Sequence, residues 1–191
     1  MIAIIDYDAG NLKSVEKAFL ALGEECVVTR DHDSIRRADR VVLPGVGSFG
    51  TAMQQLKKYE LDQVIREVVQ EDKPFLGICL GLQLLFEGSE ESDGVEGLHL
   101  LDGEIVKIPE APGLKIPHIG WNALHKTRPH PLLQALDEGT CVYFVHSYYA
   151  ADCEDSVIAT TDYGRELTAA AARENVMGCQ FHPEKSGEAG L

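Results

Sequence analysis

The sequence predicts an α/β protein with a mostly parallel central sheet, flanked by helices and extended by antiparallel strands. Strand-like and helix-like segments alternate from the first residues up to Cys79, a pattern typical of βαβ units and a parallel sheet. From Ile105 onward the apolar runs are shorter and are separated by Pro and Gly, which predicts that some of them are antiparallel additions to the same sheet. A length of 191 residues suits one domain, so we expect residues 1–191 to form a single domain.

The first strand and the first helix follow from a short apolar run and the periodic residues after it. Residues 2–5 are apolar and end at Asp6, as expected for a buried parallel strand. Asn11 stands where a helix N-cap is expected, and Gly23 is a typical C-terminal stop. Between them, apolar residues recur at helical spacing: Leu12, Val15, Phe19 and Leu22.

Three more strands and one long helix complete the first half of the chain. Apolar runs at 26–28 and 41–43 predict the second and third strands, and 73–78 predicts a fourth that leads directly into Cys79. Residues 51–70 predict a single helix with one apolar face. The residues of that face are Met53, Leu56, Leu61, Val64, Ile65 and Val68.

The second half of the chain is rich in short β-like segments. These segments lie at 105–106, Ile116, 141–145, 157–160 and 176–181. Residues 87–97 form the only low-complexity stretch, and we expect them to be a solvated acidic loop and not a linker between domains.

Charge and hydropathy exclude several classes of function. Asp and Glu number 31 against 17 Lys and Arg, and the net charge of −14 leaves no basic surplus for nucleic acid or an anionic membrane. The most apolar stretch, residues 76–86, is too short to span a membrane, and no basic leader precedes the first strand. We therefore expect a cytoplasmic protein without a nucleic-acid or membrane partner.

The five cysteines predict neither a disulfide framework nor a structural zinc site. They form no C-x-x-C pair, and an odd number cannot be paired completely. No metal and no cofactor are therefore expected.

The candidate nucleophile is Cys79, in the segment GICLG at 77–81. The segment has the pattern G-x-nucleophile-x-G, directly after a predicted strand and before an apolar helix. Gly77 and Gly81 suit a sharp turn in which side chains would collide, and the start of a helix favours a thiolate. Taken alone, the pattern is equally compatible with a small buried cysteine in a glycine-rich turn.

A thiol nucleophile needs a base, and the base needs an orienting group. His182 follows a strand-like run and precedes Pro183 and Glu184, so the Glu184 carboxylate can reach the imidazole. His118 and His146 lie in β-like segments and are expected to be satisfied core or rim residues. The other histidines are expected in loops or at the surface: His32, His99, His125 and His130.

The loop after the third strand contains a literal G-x-G-x-x-G at Gly45, Gly47 and Gly50. A dinucleotide site is an alternative interpretation, but that motif usually follows the first strand of its unit, whereas here it follows the third and Pro44 opens the loop. In a parallel sheet this loop lies at the same edge as the turn around Cys79. Its backbone N–H groups are therefore placed to receive an oxyanion.

Together these motifs resemble the class I (triad) glutamine amidotransferases, whose fold is flavodoxin-like. The family's marks are GICLGLQLLF (77–86) and QFHPEKS (180–186). Within the family, the chain is most similar to the glutaminase subunits of imidazole glycerol phosphate synthase, which act in histidine biosynthesis. The segments that carry this similarity are IIDYDAGN (4–11), LPGVGSFG (43–50), PHIGWN (117–122) and YFVHSYY (143–149).

The resemblance implies a role for each matching residue. The catalytic triad would be Cys79, His182 and Glu184, with Cys79 forming a thioester from L-glutamine. The oxyanion hole would use the N–H groups of Val46 and Leu80, and the loop at Val46 is expected to need a peptide reorientation. The glutamine-binding residues would be Gly47, Gln83, Ser147 and Tyr148. Without the resemblance, Gln83 would be interpreted as a polar helix residue facing solvent.

The resemblance also implies a heterodimer. Ammonia would pass to a cyclase subunit that resembles a (β/α)₈ barrel and makes imidazole glycerol phosphate and aminoimidazole carboxamide ribotide. The residues expected to face this partner are Asn11, Trp121, Tyr143 and Lys185, although Trp121 could equally be a core aromatic. Asp8 departs from the family, since relatives usually have Gly at that position.

Three alternatives share part of this pattern. Another triad glutaminase would use the same chemistry with a different acceptor, but PGVG, IGWN and VHSYY argue against it. In an α/β-hydrolase the acid normally precedes the histidine, whereas Glu184 follows His182. A non-enzymatic regulatory subunit would have no need of the complete set Cys79, His182 and Glu184.

Overall fold

Four short strands and five helices form the first half of the chain in the computed structural model, which describes residues 1–191. The strands are β1 (Ile2–Ile5), β2 (Cys26–Thr29), β3 (Arg40–Leu43) and β4 (Phe75–Ile78). The helices are α1 (Leu12–Ala21), α2 (His32–Arg37), α3 (Phe49–Lys58), α4 (Leu61–Gln70) and α5 (Leu80–Gln83). All four strands coincide with the predicted apolar runs.

The second half contributes nine strands, a short terminal helix and two 3₁₀ turns. The strands are β5 (Gly88–Ser89), β6 (Glu104–Lys107), β7 (His118–Ala123), β8 (His125–Lys126), β9 (Cys141–His146), β10 (Tyr148–Ala151), β11 (Val157–Asp162), β12 (Glu166–Arg173) and β13 (Val176–Cys179). The 3₁₀ turns are Pro131–Leu133 and Pro183–Lys185, and the terminal helix is α6 (Gly187–Gly190).

The central sheet has eight strands in the order β2-β1-β3-β4-β13-β12-β11-β8. The first five run parallel to one another, and β12, β11 and β8 extend the sheet by antiparallel pairing. The predicted fold class is therefore confirmed. Because β3, β4 and β13 are adjacent and parallel, the segments that follow them meet at one edge of the sheet.

Two smaller sheets lie outside the central one. Strands β10, β6 and β5 form one of them, and β7 and β9 form an antiparallel ribbon. Of the predicted short segments, 157–160 joins the central sheet as β11 by antiparallel pairing, and 176–181 joins it as β13 by parallel pairing. The segments at 105–106 and 141–145 belong to the smaller sheets, and β8 and β12 were not predicted. In β9, buried and more exposed residues alternate, which is typical of a strand with only one packed face.

Side chains of the central strands alternate between two hydrophobic clusters. In β1, Ala3 and Ile5 pack into the cluster that contains α3 and α4. Ile2 and Ile4 pack on the opposite face, against Val15 of α1. This alternation follows from the two-residue period of a strand. No helix in the structure is both long and apolar enough to cross a membrane.

The single helix expected at 51–70 is wrong, because the chain breaks at Tyr59 and Glu60. Glu60 has a left-handed backbone, with φ of 54°, and separates α3 from α4. Leu56 and Leu61 are both completely buried, yet five residues turn a helix by about 140° beyond a full turn. A straight helix could not place both leucines on one face. The break between α3 and α4 turns the chain so that both side chains face the core.

Three further segments differ from the expectation. Helix α2 was not predicted, because a helix with one buried residue, Ile35, shows no detectable periodicity of apolar residues. Its N-cap is Asp31, whose side chain accepts the Ser34 N–H at 2.8 Å. Helix α5 is only four residues long. Ile116 lies outside the strands, and β7 begins after Pro117, which has no N–H to donate to a ladder.

The acidic segment at 87–97 is not a solvated loop. Its first part forms β5, and Glu91 Oε2 accepts the Phe49 N–H at 3.1 Å. Ser92 Oγ accepts the Gly50 N–H at 2.9 Å. The segment therefore satisfies donors at the start of α3, where the N-cap residue makes no side-chain cap.

Candidate active site

Cys79 occupies a strained turn between β4 and α5. Its backbone has φ of 54° and ψ of −109°, a conformation that non-glycine residues rarely adopt. A Cβ on Gly77 would lie 2.5 Å from the Gly81 carbonyl oxygen, and a Cβ on Gly81 would lie 1.8 Å from that of Leu43. Both glycines are therefore required by close backbone packing, as the pattern predicts for a nucleophile turn.

His182 and Glu184 form a buried pair beyond the end of β13. The Nδ1 atom of His182 lies 2.6 Å from Oε1 of Glu184, and both side chains are only 1% exposed. The 3₁₀ turn that starts at Pro183 brings the two side chains together. The backbone is held by Tyr143, whose carbonyl accepts the His182 N–H at 3.0 Å. The predicted contact between His182 and Glu184 is thus present.

The surroundings of His182 favour its protonated form. Burial lowers the pKa of His182, but Cys79 and Glu184 outweigh it and raise this pKa to about 9 from 6.5. The Nε2 atom has no partner at hydrogen-bond distance. Cys79 nevertheless lies close enough to raise the pKa of His182, and catalytic hydrogen bonds often form or tighten only when the substrate is bound. Such an imidazole can take and keep the thiol proton.

Asn11 contacts the same carboxylate as His182. Its Nδ2 donates to Oε1 of Glu184 at 2.6 Å, so one oxygen is shared by two groups. Asn11 occupies the expected N-cap position of α1, but its backbone is left-handed and its side chain makes no cap hydrogen bond. The side chain reaches across to the triad instead, over a sequence distance that no local pattern could reveal.

A chain of amide groups leads from the Tyr148 carbonyl to the sulfur of Cys79. Gln83 Nε2 donates to the Tyr148 carbonyl and to Oε1 of Gln180, both at 3.1 Å. Gln180 Nε2 in turn lies 3.7 Å from Cys79 Sγ. Gln83 is buried and does not face solvent. Gln180 was missed as a site residue, although it stands in the segment at 180–186.

The glycine-rich loop is fixed from beneath by Tyr7. The Tyr7 hydroxyl donates to the Pro44 carbonyl at 2.7 Å, and burial raises the pKa of Tyr7, so the donor keeps its proton. A Cβ on Gly45 would lie 2.1 Å from that hydroxyl. Gly47 has φ of 109°, and the N–H groups of Val46 and Gly47 donate no hydrogen bond within the chain.

These elements line a cavity of about 280 Å³ at the edge of the central sheet. The predicted residues that line it are Cys79, His182, Val46, Leu80, Gly47, Gln83, Ser147 and Tyr148. The cavity also contains Glu91, which sequence reasoning had placed in a solvated loop. The triad residue Glu184 lies behind His182, away from the cavity.

Trp121 is on the surface and not in the core. It is 55% exposed and lies on the ribbon of β7 and β9, where its ring meets that of Tyr143 edge to face at 6.0 Å. Ile119, two residues earlier, is 58% exposed and adds to this apolar surface. Lys185 is exposed close to the triad. Ile119 was missed because an isolated isoleucine in a strand carries no signal of exposure.

Two residues near the triad depart from the expected pattern or were not predicted. Asp8 has a left-handed backbone with φ of 67°, and its carboxylate accepts hydrogen bonds from Arg30 at 2.6 Å and from the Tyr59 hydroxyl. These contacts stabilise a conformation that glycine usually supplies. Ser186 donates to the His182 carbonyl at 2.6 Å and accepts the Tyr143 N–H; it was assigned no role, although it ends the segment at 180–186.

Fold, motifs and geometry agree with a comparison to known families. The model for "Glutamine amidotransferase class-I" matches residues 3–190. The chain belongs to the class-I glutamine amidotransferase family. The subunit HisH of imidazole glycerol phosphate synthase from Bacillus cereus (strain G9842) is 53% identical over 192 residues, which cover 100% of this chain and 90% of that protein. Its counterpart from Methanothermobacter thermautotrophicus is 51% identical, over 100% and 94% of the two chains.

Solved structures support the fold at lower identity. A crystal structure described as a glutamine amidotransferase superposes with a TM-score of 0.78 at 18% identity, over 100% of this chain and 95% of that one. The structure of PurLQS from Thermotoga maritima gives a TM-score of 0.70 at 21% identity, over 96% and 87%. At these identities the likeness concerns the fold alone.

Proposed function

We propose that this chain is the glutaminase subunit of an imidazole glycerol phosphate synthase. It hydrolyses L-glutamine and delivers ammonia to a cyclase subunit in the cytoplasm, within histidine biosynthesis, and residues 1–191 act as a single glutaminase domain. The observation that carries the proposal is the buried His182–Glu184 pair, which lies beside the strained Cys79 at a cavity. The chain is also about half identical in sequence to subunits of imidazole glycerol phosphate synthase.

In the first half of the reaction, the sulfur of Cys79 attacks the side-chain amide carbon of glutamine. The thiol proton passes to Nε2 of His182, whose raised pKa favours its protonated form. The N–H groups of Val46 and Leu80 receive the carbonyl oxygen as it becomes negative. The imidazolium then gives its proton to the departing nitrogen, ammonia leaves, and a thioester remains on Cys79.

In the second half, water replaces ammonia. Neutral His182 takes a proton from water while the water oxygen attacks the thioester carbonyl. The carbon–sulfur bond then breaks, and His182 returns the proton to the Cys79 thiolate. The product is glutamate. Glu184 keeps Nδ1 of His182 protonated through the contact at 2.6 Å, so Nε2 is the atom that accepts and donates protons in both halves.

The cavity supplies contacts for the amino-acid end of glutamine. Backbone groups at Gly47, Ser147 and Tyr148 line it, and Gln83 stands behind Tyr148. We add Glu91 to this set, because a carboxylate at the cavity wall is placed to attract the α-ammonium group. Its other contact, the Phe49 N–H, holds the side chain in place.

The partner face would be the surface around Trp121 and Tyr143, with Asn11 and Lys185 beside the triad. Trp121 is exposed and packs on the half-buried Tyr143, and aromatic side chains of this kind are enriched at the centre of protein interfaces. On this proposal a cyclase subunit covers the ribbon of β7 and β9 and takes up ammonia released at Cys79. No metal and no cofactor has a part in the reaction.

The test is glutamine-dependent cyclisation by the reconstituted pair. The cyclase subunit and its nucleotide substrate are incubated with this chain and either glutamine or ammonium, and imidazole glycerol phosphate is measured. We expect glutamine to support the reaction only when this chain is present with an intact Cys79, whereas ammonium supports it without the chain. Glutamate release without formation of imidazole glycerol phosphate would agree with glutaminase activity but contradict the proposed cyclase partner.

A further inference from the structure

Two buried histidines extend the hydrogen bonding of the glutamine cavity away from the triad. The Tyr148 carbonyl, next to the cavity, accepts from Gln83 Nε2 at 3.1 Å and faces Nδ1 of His146 at 2.8 Å. A carbonyl oxygen has two lone pairs, so these two contacts saturate it. The orientation of the Tyr148 peptide therefore depends on which nitrogen of His146 carries a proton.

The second histidine, His118, lies behind His146. Its Nδ1 is 2.9 Å from Nε2 of His146, and its Nε2 is 2.9 Å from Oδ1 of Asn122. His118 is completely buried, with its ring stacked between Phe144 at 5.0 Å and Tyr163 at 3.9 Å. The ring has no freedom to turn away from either contact.

The partners at the cavity end fix the positions of two protons. The Tyr148 carbonyl can only accept, so a hydrogen bond at 2.8 Å requires a proton on Nδ1 of His146. If His146 is neutral, its Nε2 is then unprotonated and needs a donor. The only group at hydrogen-bond distance from that nitrogen is Nδ1 of His118.

Burial keeps the two rings neutral at pH 7. It lowers the pKa of His146 to about 4, with the positive charge of nearby histidines acting in the same direction, and it also lowers the pKa of His118. Two neutral rings share two protons among three contacts. The third contact takes its proton from Asn122, whose amide turns to present Nδ2 to Nε2 of His118. The Asn122 oxygen then faces the Asp162 carbonyl, and this one unfavourable contact falls at the exposed end of the network.

We propose that His118 and His146 are positioning residues for glutamine: His118 sets the tautomer of His146, and His146 in that tautomer holds the Tyr148 peptide at the cavity wall. The orientation of one ring nitrogen by the hydrogen bond of the other is a general property of histidine. This inference rests on the proposed function, because it takes the cavity beside Cys79 to be the glutamine site.

The first test reads the tautomer in the unaltered protein. The ¹⁵N chemical shifts of His146, assigned with a His146→Gln variant, distinguish Nδ1–H from Nε2–H and from the charged ring. We expect a single neutral tautomer with the proton on Nδ1 at pH 7. A charged His146, or one protonated on Nε2, would overturn the proposal, and this result does not depend on any enzymatic activity.

The second test separates hydrogen bonding from packing at His118. His118→Phe keeps an aromatic ring between Phe144 and Tyr163 but removes the donor, whereas His118→Asn keeps a donor near the Nδ1 position and removes the stacking. Glutaminase kinetics are measured with the cyclase subunit and its nucleotide substrate. For His118→Phe we expect a rise in KM for glutamine of about tenfold, equivalent to ~1.4 kcal/mol, with kcat little changed and mixed His146 tautomers.

His118→Asn should retain both the Nδ1–H tautomer and a KM near that of the wild type. An equal rise in KM for both variants would mean that packing alone matters and would overturn the proposal, as would an unchanged KM and tautomer in His118→Phe. Failure of the proposed function has a different signature: no Cys79-dependent glutamate release from the wild-type pair.

Discussion

Asn11 donates a hydrogen bond of 2.6 Å to Oε1 of Glu184, the oxygen that also contacts Nδ1 of His182. The first loop of the chain is thereby joined to the last motif across the edge of the sheet. Two groups on one oxygen fix the carboxylate, and the carboxylate fixes the imidazole. The geometry of the triad therefore depends on a residue outside it.

Substitution of Asn11 should impair the chemical step. Asn11→Ala removes a hydrogen bond to a charged group, worth about 1.5–3 kcal/mol, and we expect kcat/KM to fall at least about tenfold. Asn11→Asp should be worse, because it places a second negative charge against Glu184. Steady-state glutamate release with the cyclase subunit present measures both. Equal activity of Asn11→Asp and the wild type would contradict the role assigned to this contact.

The raised pKa of His182 predicts how stability changes with pH. A group whose pKa is higher in the folded than in the unfolded chain stabilises the fold fully below its unfolded value, here 6.5, and loses this effect as pH rises through about 9. Glu184→Gln removes one cause of the shift. The melting temperature of the wild type should therefore exceed that of Glu184→Gln most below pH 6.5, and the two should converge towards pH 9.

Thermal unfolding followed by circular dichroism across that range measures this difference. His125→Gln serves as a control, because His125 is exposed and its contact with Glu138 lies far from the triad in sequence. A constant difference between wild type and Glu184→Gln at every pH would show that His182 does not gain protons on folding.

Gly45 and Tyr7 should behave as a coupled pair. An added Cβ at Gly45 would lie 2.1 Å from the Tyr7 hydroxyl but 3.4 Å from its ring carbon Cζ. Gly45→Ala should therefore be strongly destabilising alone, by about 1–3 kcal/mol as for an overpacked core, and much less so in a Tyr7→Phe background. Urea unfolding of the two single variants and the double variant gives the coupling. Strict additivity would contradict the proposed collision.

Gln180 should influence the reactivity of Cys79. Gln180→Leu removes the group 3.7 Å from Cys79 Sγ and leaves Gln83 with one unpaired N–H. An unsatisfied buried polar group costs about 1–3 kcal/mol, so we expect glutamine turnover to fall about tenfold. The rate of Cys79 alkylation by iodoacetamide, corrected with Cys79→Ala, reports the same effect at the sulfur. Unchanged turnover and alkylation would assign Gln180 a packing role only.

The sheet and the nucleophile were predictable because their signals are local. The strand at 73–78, the sharp turn at Cys79 and the pair His182–Glu184 each lie within a few consecutive residues, so local spacing indicates their geometry. Parallel order then brings Cys79 and His182 together. The resemblance to a known family supplied the remaining cavity residues, which no periodicity indicates.

What could not be predicted depends on contacts between distant segments. The break at Glu60 arises because Leu56 and Leu61 are both buried in the core. Helical periodicity in the sequence does not reveal this requirement of the tertiary structure. Asn11 is the N-cap residue of α1, as its local context predicts, yet its side chain contacts Glu184 and not the first turn of the helix. The directed contact between His118 and His146 exists only because β7 and β9 pair.

The most direct test of the account is glutamate release from glutamine by the wild type and Cys79→Ala, each alone and with the liganded cyclase subunit. We expect release that the liganded partner strongly increases and that Cys79→Ala abolishes under every condition. Undiminished release by Cys79→Ala, or no release from the wild type with its partner, would contradict the central claim that Cys79 is the nucleophile of a glutaminase.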